Sequence, residues 1–510
     1  MITRRTFVLG AAAFPTIVNA ASMARSRTVA TTLGGVRGSI EGSLQVFRGI
    51  RYGEAERFRA PAAPKPSAGV IDALSFGPSA PQKGDRYKPQ SEDCQFLNIW
   101  TPDARRGANL PVMVYIHGGA YSTGSVVDPL NDGRHLASNG VVAVTVNHRL
   151  NALGYLYLAR LDPRFPDSGN VGQLDLVLAL RWIRDNIANF GGDPSRVMVF
   201  GQSGGGAKIA TMMGMPAAAG LFHRAVTMSG QQVTASGPLH ATERAKAYLG
   251  KLKATPGGLL STPVEKLVDA LDATDPIMGG AVYFGPVLDM KWLARHPFWP
   301  DANPQSNAIP MILGNTHDET RAFIGREKMD GLTWDNLAER MAPELKVDIH
   351  PEWVVSEYRR LFPAYSPEQV FYAATTAGRS WRGQVEEAEA RANANAPTWV
   401  YQVDFTSPTE PWRGAPHTMD IALSFGTLDA PGSFAGTGAG ARAASDAVMR
   451  SFIAFSATGN PHLAGLPNWP MYRLPQRSTM IFDVHSHVEN DPRREQRELF
   501  ARVPYIQPGT

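Results

Sequence analysis

The stretch that most restricts this chain is Gly201-Gln202-Ser203-Gly204-Gly205. Arg196 to Phe200 before it is a short β-branched and apolar run, and Ala207 to Met213 after it suits a helix. Gly-x-Ser-x-Gly at a strand-to-helix corner is the nucleophile-elbow spacing, a tight turn with room only for hydrogen on either side of a protruding serine. The helix that follows turns its free N–H groups and positive dipole end toward any anion forming there. An ordinary glycine-rich turn fits the same five residues and asks nothing of the rest of the chain. The catalytic reading asks for an oxyanion-binding turn upstream, then an acid and a histidine downstream, in that order.

The surrounding pattern is α/β. Leu97 to Trp100, Val112 to Ile116 and Val141 to Val146 are apolar runs of strand length, as in strands covered on both faces. A helix from about Gln173 to Phe190 carries Leu176, Leu180, Ile183 and Ile187 on one face, and Gly191-Gly192 ends it. Strand, helix, strand and elbow helix in alternation build a parallel sheet, which binds ligands at the carboxyl ends of its strands, where Ser203 falls. Thr28 to Tyr52 alternates around Gly34-Gly35 and Gly42 and predicts antiparallel hairpins. Ala225 to Met228, Ile309 to Leu313, Trp399 to Val403 and Thr479 to Phe482 predict later strands, with helices at Thr242 to Leu252, Val264 to Leu271 and Ala443 to Ala457. Residues 292–396, rich in aromatics and poor in strand signals, are expected to form a cap or gorge wall.

The upstream requirement is met by His117-Gly118-Gly119-Ala120-Tyr121, which closes the Val112 run. Stabilising an oxyanion takes backbone N–H groups brought very close, and tiny residues permit that. Gly118, Gly119 and Ala120 form this loop, with Gly119 and Ala120 read as donors and Gly204 as the third. Downstream, Asp318 and Glu319 both lie in Gly314 to Thr320 and either could orient a histidine. Among the later histidines, His350, His462, His485 and His487 sit at polar turns or a strand end. His417, in the small-residue loop Gly414 to Asp420, is preferred as base.

With these motifs in place the chain resembles the type-B carboxylesterase family, from about Val46 to Tyr472. The likeness rests on Val46-Phe47-Arg48-Gly49-Ile50-Arg51-Tyr52, Ser91 to Ile99, the His117 loop, Gly169-Asn170-Val171-Gly172, Asn189 to Pro194, the elbow and Asn460-Pro461. It implies an α/β-hydrolase fold, a single domain over residues 21–510 with a large, mostly parallel sheet flanked by helices, and hydrolysis of carboxylic esters without a metal or cofactor. Carried over residue by residue, it implies nucleophile Ser203, acid Glu319 rather than Asp318, and base His417. Three departures stand out. Gly204 replaces a usual alanine, Thr320 replaces a usual glycine, and Ala80 stands where many relatives hold a cysteine that pairs with the one matching Cys94.

Composition supports a folded enzyme. Hydrophobic residues make up 43% and charged residues 19%, and the net charge of +4 is scattered, with no basic stripe for nucleic acid. Residues 1–20 read as an export signal: Arg4-Arg5 is a twin-arginine pair, Phe7 to Val18 is too short to span a bilayer, and Val18-Asn19-Ala20 has small-x-small cleavage character. The expected location is the periplasm or beyond, with no integral membrane segment in the mature chain and a monomer or weak homo-oligomer. The single cysteine, Cys94, cannot form an internal disulfide. His485-x-His487 lacks a third ligand for a metal, and Gly436 to Gly440 lacks the strand a nucleotide loop follows. Tyr121, Trp299 and Trp381 are read as substrate-binding aromatics, with Phe323 as a further candidate for an apolar gorge. Small-molecule esters, amides or lactones all fit the chemistry, and relatives of this fold also serve as non-catalytic adhesion modules.

Overall fold

A computed structural model describes residues 24–509, so the leader assigned to residues 1–20 lies outside the described residues. The strands are β1 (Arg25–Thr31), β2 (Gly34–Glu41), β3 (Leu44–Arg51), β4 (Val70–Asp72), β5 (Phe96–Thr101), β6 (Leu110–Ile116) and β7 (Val142–Val146). They continue with β8 (Gly192–Gln202), β9 (Arg224–Met228), β10 (Met311–Thr316), β11 (Thr398–Val403), β12 (Ser478–Phe482) and β13 (His487–Asn490). They form one sheet in the order β1-β2-β3-β5-β7-β6-β8-β9-β10-β11-β12-β13, with β4 paired to β2. From β7 to β12 every neighbour is parallel; β1, β2, β3 and β5 run antiparallel along one edge, and β13 does so at the other. The fold is the α/β-hydrolase arrangement.

Strand alternation feeds two cores. On β6, Val112, Val114 and Ile116 enter the layer beneath the helix Val171–Asn186, while Met113 and Tyr115 enter the opposite layer beneath the helix Ala439–Thr458. On β8, Val197 and Val199 go one way and Met198 and Phe200 the other. Each such large apolar side chain contributes roughly 1.5–3 kcal/mol on burial. Leu176, Leu180 and Ile183 pack beneath their helix as expected, and Ile187 continues in a short 3-10 turn through Phe190.

Two regions add detail to this pattern. The Leu97 run becomes β5, an antiparallel neighbour of both β3 and β7 rather than a member of the parallel core. Within 292–396 the strand β10 belongs to the central sheet, while the helices Leu337–Leu345, Pro351–Leu361, Pro367–Thr376 and Arg382–Asn393 follow it. Leu337, Met341, Val354, Tyr358, Phe371 and Phe500 give these helices a separate core. The helix Pro367–Thr376 starts in a capping box, Ser366 with Gln369, which satisfies two otherwise free amides. Cys94 is a free thiol buried in one apolar cluster with Ala80 and Leu150. No helix among the described residues is long and apolar enough to cross a membrane.

Candidate active site

Three parallel strands deliver the site at their carboxyl ends: β6 leads into His117 to Tyr121, β8 into Ser203, and β10 into Glu319. Ser203 has φ 55° and ψ −126°, a conformation that costs a residue with a side chain on the order of 1–3 kcal/mol. The surrounding structure enforces it. The Ser203 N–H donates to Met228 O at 2.7 Å, and the Ser203 carbonyl accepts from Ala207 N at 3.0 Å as the helix Gly204–Met213 begins. A Cβ at Gly205 would lie 2.0 Å from Ile116 O, so the second glycine of the elbow is required by close contact with β6.

The oxyanion loop lies directly against this turn. A Cβ on Gly204 would meet Ala120 N at 2.6 Å, which explains the departure from alanine: the loop backbone occupies that space. Ala120 and Tyr121 take positive φ, 51° and 62°. The N–H groups of Gly118, Gly119 and Ala120 donate to no protein acceptor among the described residues. That of Gly204, first in its helix, is one of the amides a helix leaves free. Unspent donors around a protruding hydroxyl suit an anion that forms only during reaction.

Glu319 is fully buried, and its two oxygens are used differently. Oε1 accepts from Ser229 Oγ at 2.5 Å, Thr316 N at 2.8 Å and Asn315 Nδ2 at 3.2 Å, while Oε2 takes a short hydrogen bond from His417 Nδ1. Burial alone would raise this carboxyl, but the His417 charge and hydrogen bond, with Ser229 and Thr316, hold it below the ordinary glutamate value. Asp318 does other work. It trades two bonds with Ala415, its N–H donating to the Ala415 carbonyl at 2.9 Å and its carboxylate accepting from Ala415 N at 3.0 Å, and so ties the acid loop to the histidine loop. Thr320 anchors the same loop through Thr375 and Thr376, each hydroxyl 2.9 Å away, doing by contact what a glycine would leave to the backbone.

With Nδ1–H committed to Glu319, the other imidazole nitrogen of His417 is an acceptor. It receives Gln202 Nε2–H at 3.1 Å, which puts the ring over the residue next to the serine. Ser203 Oγ makes no hydrogen bond among the described residues. The Phe323 ring packs on His417, centroids 4.8 Å apart. Behind it, Asp420 accepts from Tyr401 Oη at 2.9 Å and is pushed up to about 7 by burial and by the Glu319 charge.

A cavity of about 370 Å³ opens on this group, lined by Gly118, Gly119, Gln202, His417, Phe323 and Phe434, with Tyr87, Tyr115 and Ile421 behind them. Of the aromatics expected from sequence, Phe323 lines this cavity and the other three fall elsewhere. Trp299 is 57% exposed beside His296, and Trp381 lines a separate small void with Tyr401 and Arg493. Tyr121 is buried under its loop, donating to Gln232 Oε1 at 2.8 Å. Aromatic content alone does not say which way a ring faces. A larger hollow of about 780 Å³, between the Pro81 to Ser91 loop and Val264 to Asp272, contains none of the site residues. His485 and His487 flank the turn into β13, where His487 pairs with Glu489, and no cluster suited to a metal occurs among the described residues.

The carboxylesterase family model matches residues 25–500. The chain belongs to the carboxylesterase family. As a carboxylesterase it is a carboxylic-ester hydrolase of the serine type. It is 34% identical to the para-nitrobenzyl esterase of Bacillus subtilis over 501 residues, covering 92% of this chain and 97% of the relative. It is 30% identical to the fumonisin B1 esterase of Sphingopyxis macrogoltabida, covering 92% and 88%. Among solved structures, a Geobacillus stearothermophilus carboxylesterase superposes with a TM-score of 0.83 at 33% identity, covering 93% of this chain and 99% of the other. An esterase from Clostridium hathewayi gives 0.79 at 31%, covering 94% and 98%.

Sequence reasoning missed Ser229 and the Gln202 contact with the base. Ser229 carries a weak signal, a small polar residue at the end of a strand next to the elbow strand. Nothing in the sequence around Gln202 places its amide on residue 417.

Proposed function

We propose that this carboxylesterase works through a Ser203, His417 and Glu319 triad and an acyl-enzyme intermediate. The observation that carries the reading is the Glu319–His417 pair standing over the elbow, beside a loop whose amides are unspent. Glu319 fixes the tautomer in which His417 Nε2 is free to act as base once the Gln202 amide turns away. His417 then takes the Ser203 proton, the serine oxygen attacks the ester carbonyl, and Gly119, Ala120 and Gly204 receive the oxyanion. The imidazolium returns its proton to the departing alcohol, and water repeats the sequence on the acyl-enzyme. The substrates are small esters that fit the cavity between Phe323 and Phe434, and the helices of 337–393 form one wall of its approach.

Ser203→Ala is expected to lower kcat on a short p-nitrophenyl ester by at least about 10⁴ without shifting the thermal transition. His417→Ala should fall as far, and His485→Ala should match the parent. Residual turnover in Ser203→Ala, or failure of a fluorophosphonate to label Ser203 in folded protein, sinks the triad. We also infer export of the folded chain through the Arg4-Arg5 leader to the periplasm or beyond, as a monomer or weak homo-oligomer. Replacing both arginines with lysine should retain the activity in the cytoplasmic fraction, and unchanged fractionation refutes the export route.

A further inference from the structure

Lys208 is the charged group of the elbow region that the reaction above leaves unused. It is fully buried, roughly one and a half turns beyond Ser203 on the helix Gly204–Met213. Its Nζ donates to the His117 carbonyl at 3.0 Å and stands 5.3 Å from the centre of the Tyr121 ring. It forms no ion pair among the described residues. A buried cation is costly without a carboxylate, and elsewhere this fold supplies one: Arg149 with Asp175, Arg244 with Asp275. The placement is unfavourable for a second reason. A helix start already carries a positive end and is stabilised by anions, yet here it receives another cation.

The groups facing Lys208 do not cancel its charge. His117 at the end of β6 and His148 beyond β7 stack 4.6 Å apart, both buried. His117 is held down to about 3 by burial and by Lys208, and His148 is driven well below the usual range by burial. Both His148 ring nitrogens are buried without a hydrogen-bond partner. Tyr121 contributes a ring face, and Gln173, from the helix Val171–Asn186, donates to the Lys208 carbonyl. The lysine grips the peptide immediately before Gly118-Gly119-Ala120, so its hold and its field both bear on the oxyanion loop.

We propose that Lys208 is a positioning residue of the oxyanion site: it anchors the His117 carbonyl and lends an uncompensated positive charge to the negative oxygen that forms at Ser203. The proposal rests on the triad reading above. A neutral ester gains little from that charge and the tetrahedral intermediate gains more, so the effect belongs in kcat rather than in KM. Burial holds Lys208 down to about 7, so the contribution is present in acid and fades as pH rises through that region.

The test compares Lys208→Met and Lys208→Gln on a short p-nitrophenyl ester, with Ser203→Ala alongside. Lys208→Met should lose about ten-fold in kcat with KM held within about two-fold, while a fluorophosphonate still labels it to completion. The glutamine, a neutral donor, should recover only part of the loss. Unchanged kcat in the methionine variant, a loss confined to KM, or full recovery with glutamine overturns the proposal. Should the methionine variant not fold, 15N-lysine NMR of the unaltered protein decides. The low-titrating lysine signal should move to higher pH when a trifluoromethyl ketone forms its oxyanion adduct, and a static signal overturns the proposal. Activity surviving in Ser203→Ala would instead strike the triad and leave the lysine result without its premise, which separates the two failures.

Discussion

Two buried ionic groups in this molecule are built on opposite plans. Arg149 spends its donors completely. Its backbone N–H and Nε reach Asp175 Oδ2 at 2.9 Å each, Nη2 reaches Oδ1 at 2.7 Å, and Nη1 holds the carbonyls of Glu56 and Arg59. The Glu319–His417 pair is equally buried but ends on an imidazole nitrogen held by one amide, next to a strained serine and loop amides with no protein acceptor among the described residues. A closed set of bonds makes scaffold. An open set, carried at a cost in stability, makes a place where charge can develop.

The contrast can be broken from either side. The largest effect is expected at the open end: Glu319→Gln should lower kcat by about 10³–10⁴, because the amide no longer fixes the histidine tautomer. An activity loss under ten-fold would place the orienting role elsewhere. The same variant tests the sign of the charge coupling. Glu319 is held below its ordinary value in the folded chain, so its stabilisation is present above about pH 4.3 and drains away as pH falls further. The parent should therefore lose stability on acidification more steeply than Glu319→Gln, and parallel acid limbs would contradict this. Next in size is Asp175→Ala, which strands the Arg149 charge and should cost about 3–5 kcal/mol in denaturant unfolding. Activity per folded molecule should stay near the parent's; a kcat loss without a stability loss would erase the distinction. Smallest is Thr320→Val, which removes the hydroxyl contacts to Thr375 and Thr376 and should cost about 1 kcal/mol, with kcat within about two-fold.

What was readable from the sequence divides along the same line. The elbow, the His117 loop and the parallel strands were legible because each depends on neighbours in the chain: glycine spacing, apolar runs and the turn residues between them. Glu319 over Asp318 was not legible from spacing, since the two are adjacent just beyond the end of the same strand; only the paths of two loops decide which carboxylate meets residue 417. The Gln202 amide on that ring and the Ser229 hydroxyl on the acid depend on contacts across 215 and 90 positions of chain, and no local pattern encodes them. Trp299 and Trp381 mislead for a related reason, because a large ring is worth burying or displaying in many places. The antiparallel direction of β5 was likewise hidden, since an apolar strand reads the same from either end.

The contact between Gly204 and Ala120 has a bearing on how this protein can be redesigned. A methyl on residue 204 would press on the loop backbone itself, with Ala120 N at 2.6 Å, Ala120 Cα at 2.9 Å and Tyr121 N at 3.1 Å. No side chain at residue 120 makes that room: Gly204→Ala should crowd the cradle whether residue 120 is alanine or glycine, and only a shift of the loop backbone relieves it. Libraries that randomise residue 204 on a fixed loop would return glycine, and re-routing the loop is the change that opens the position.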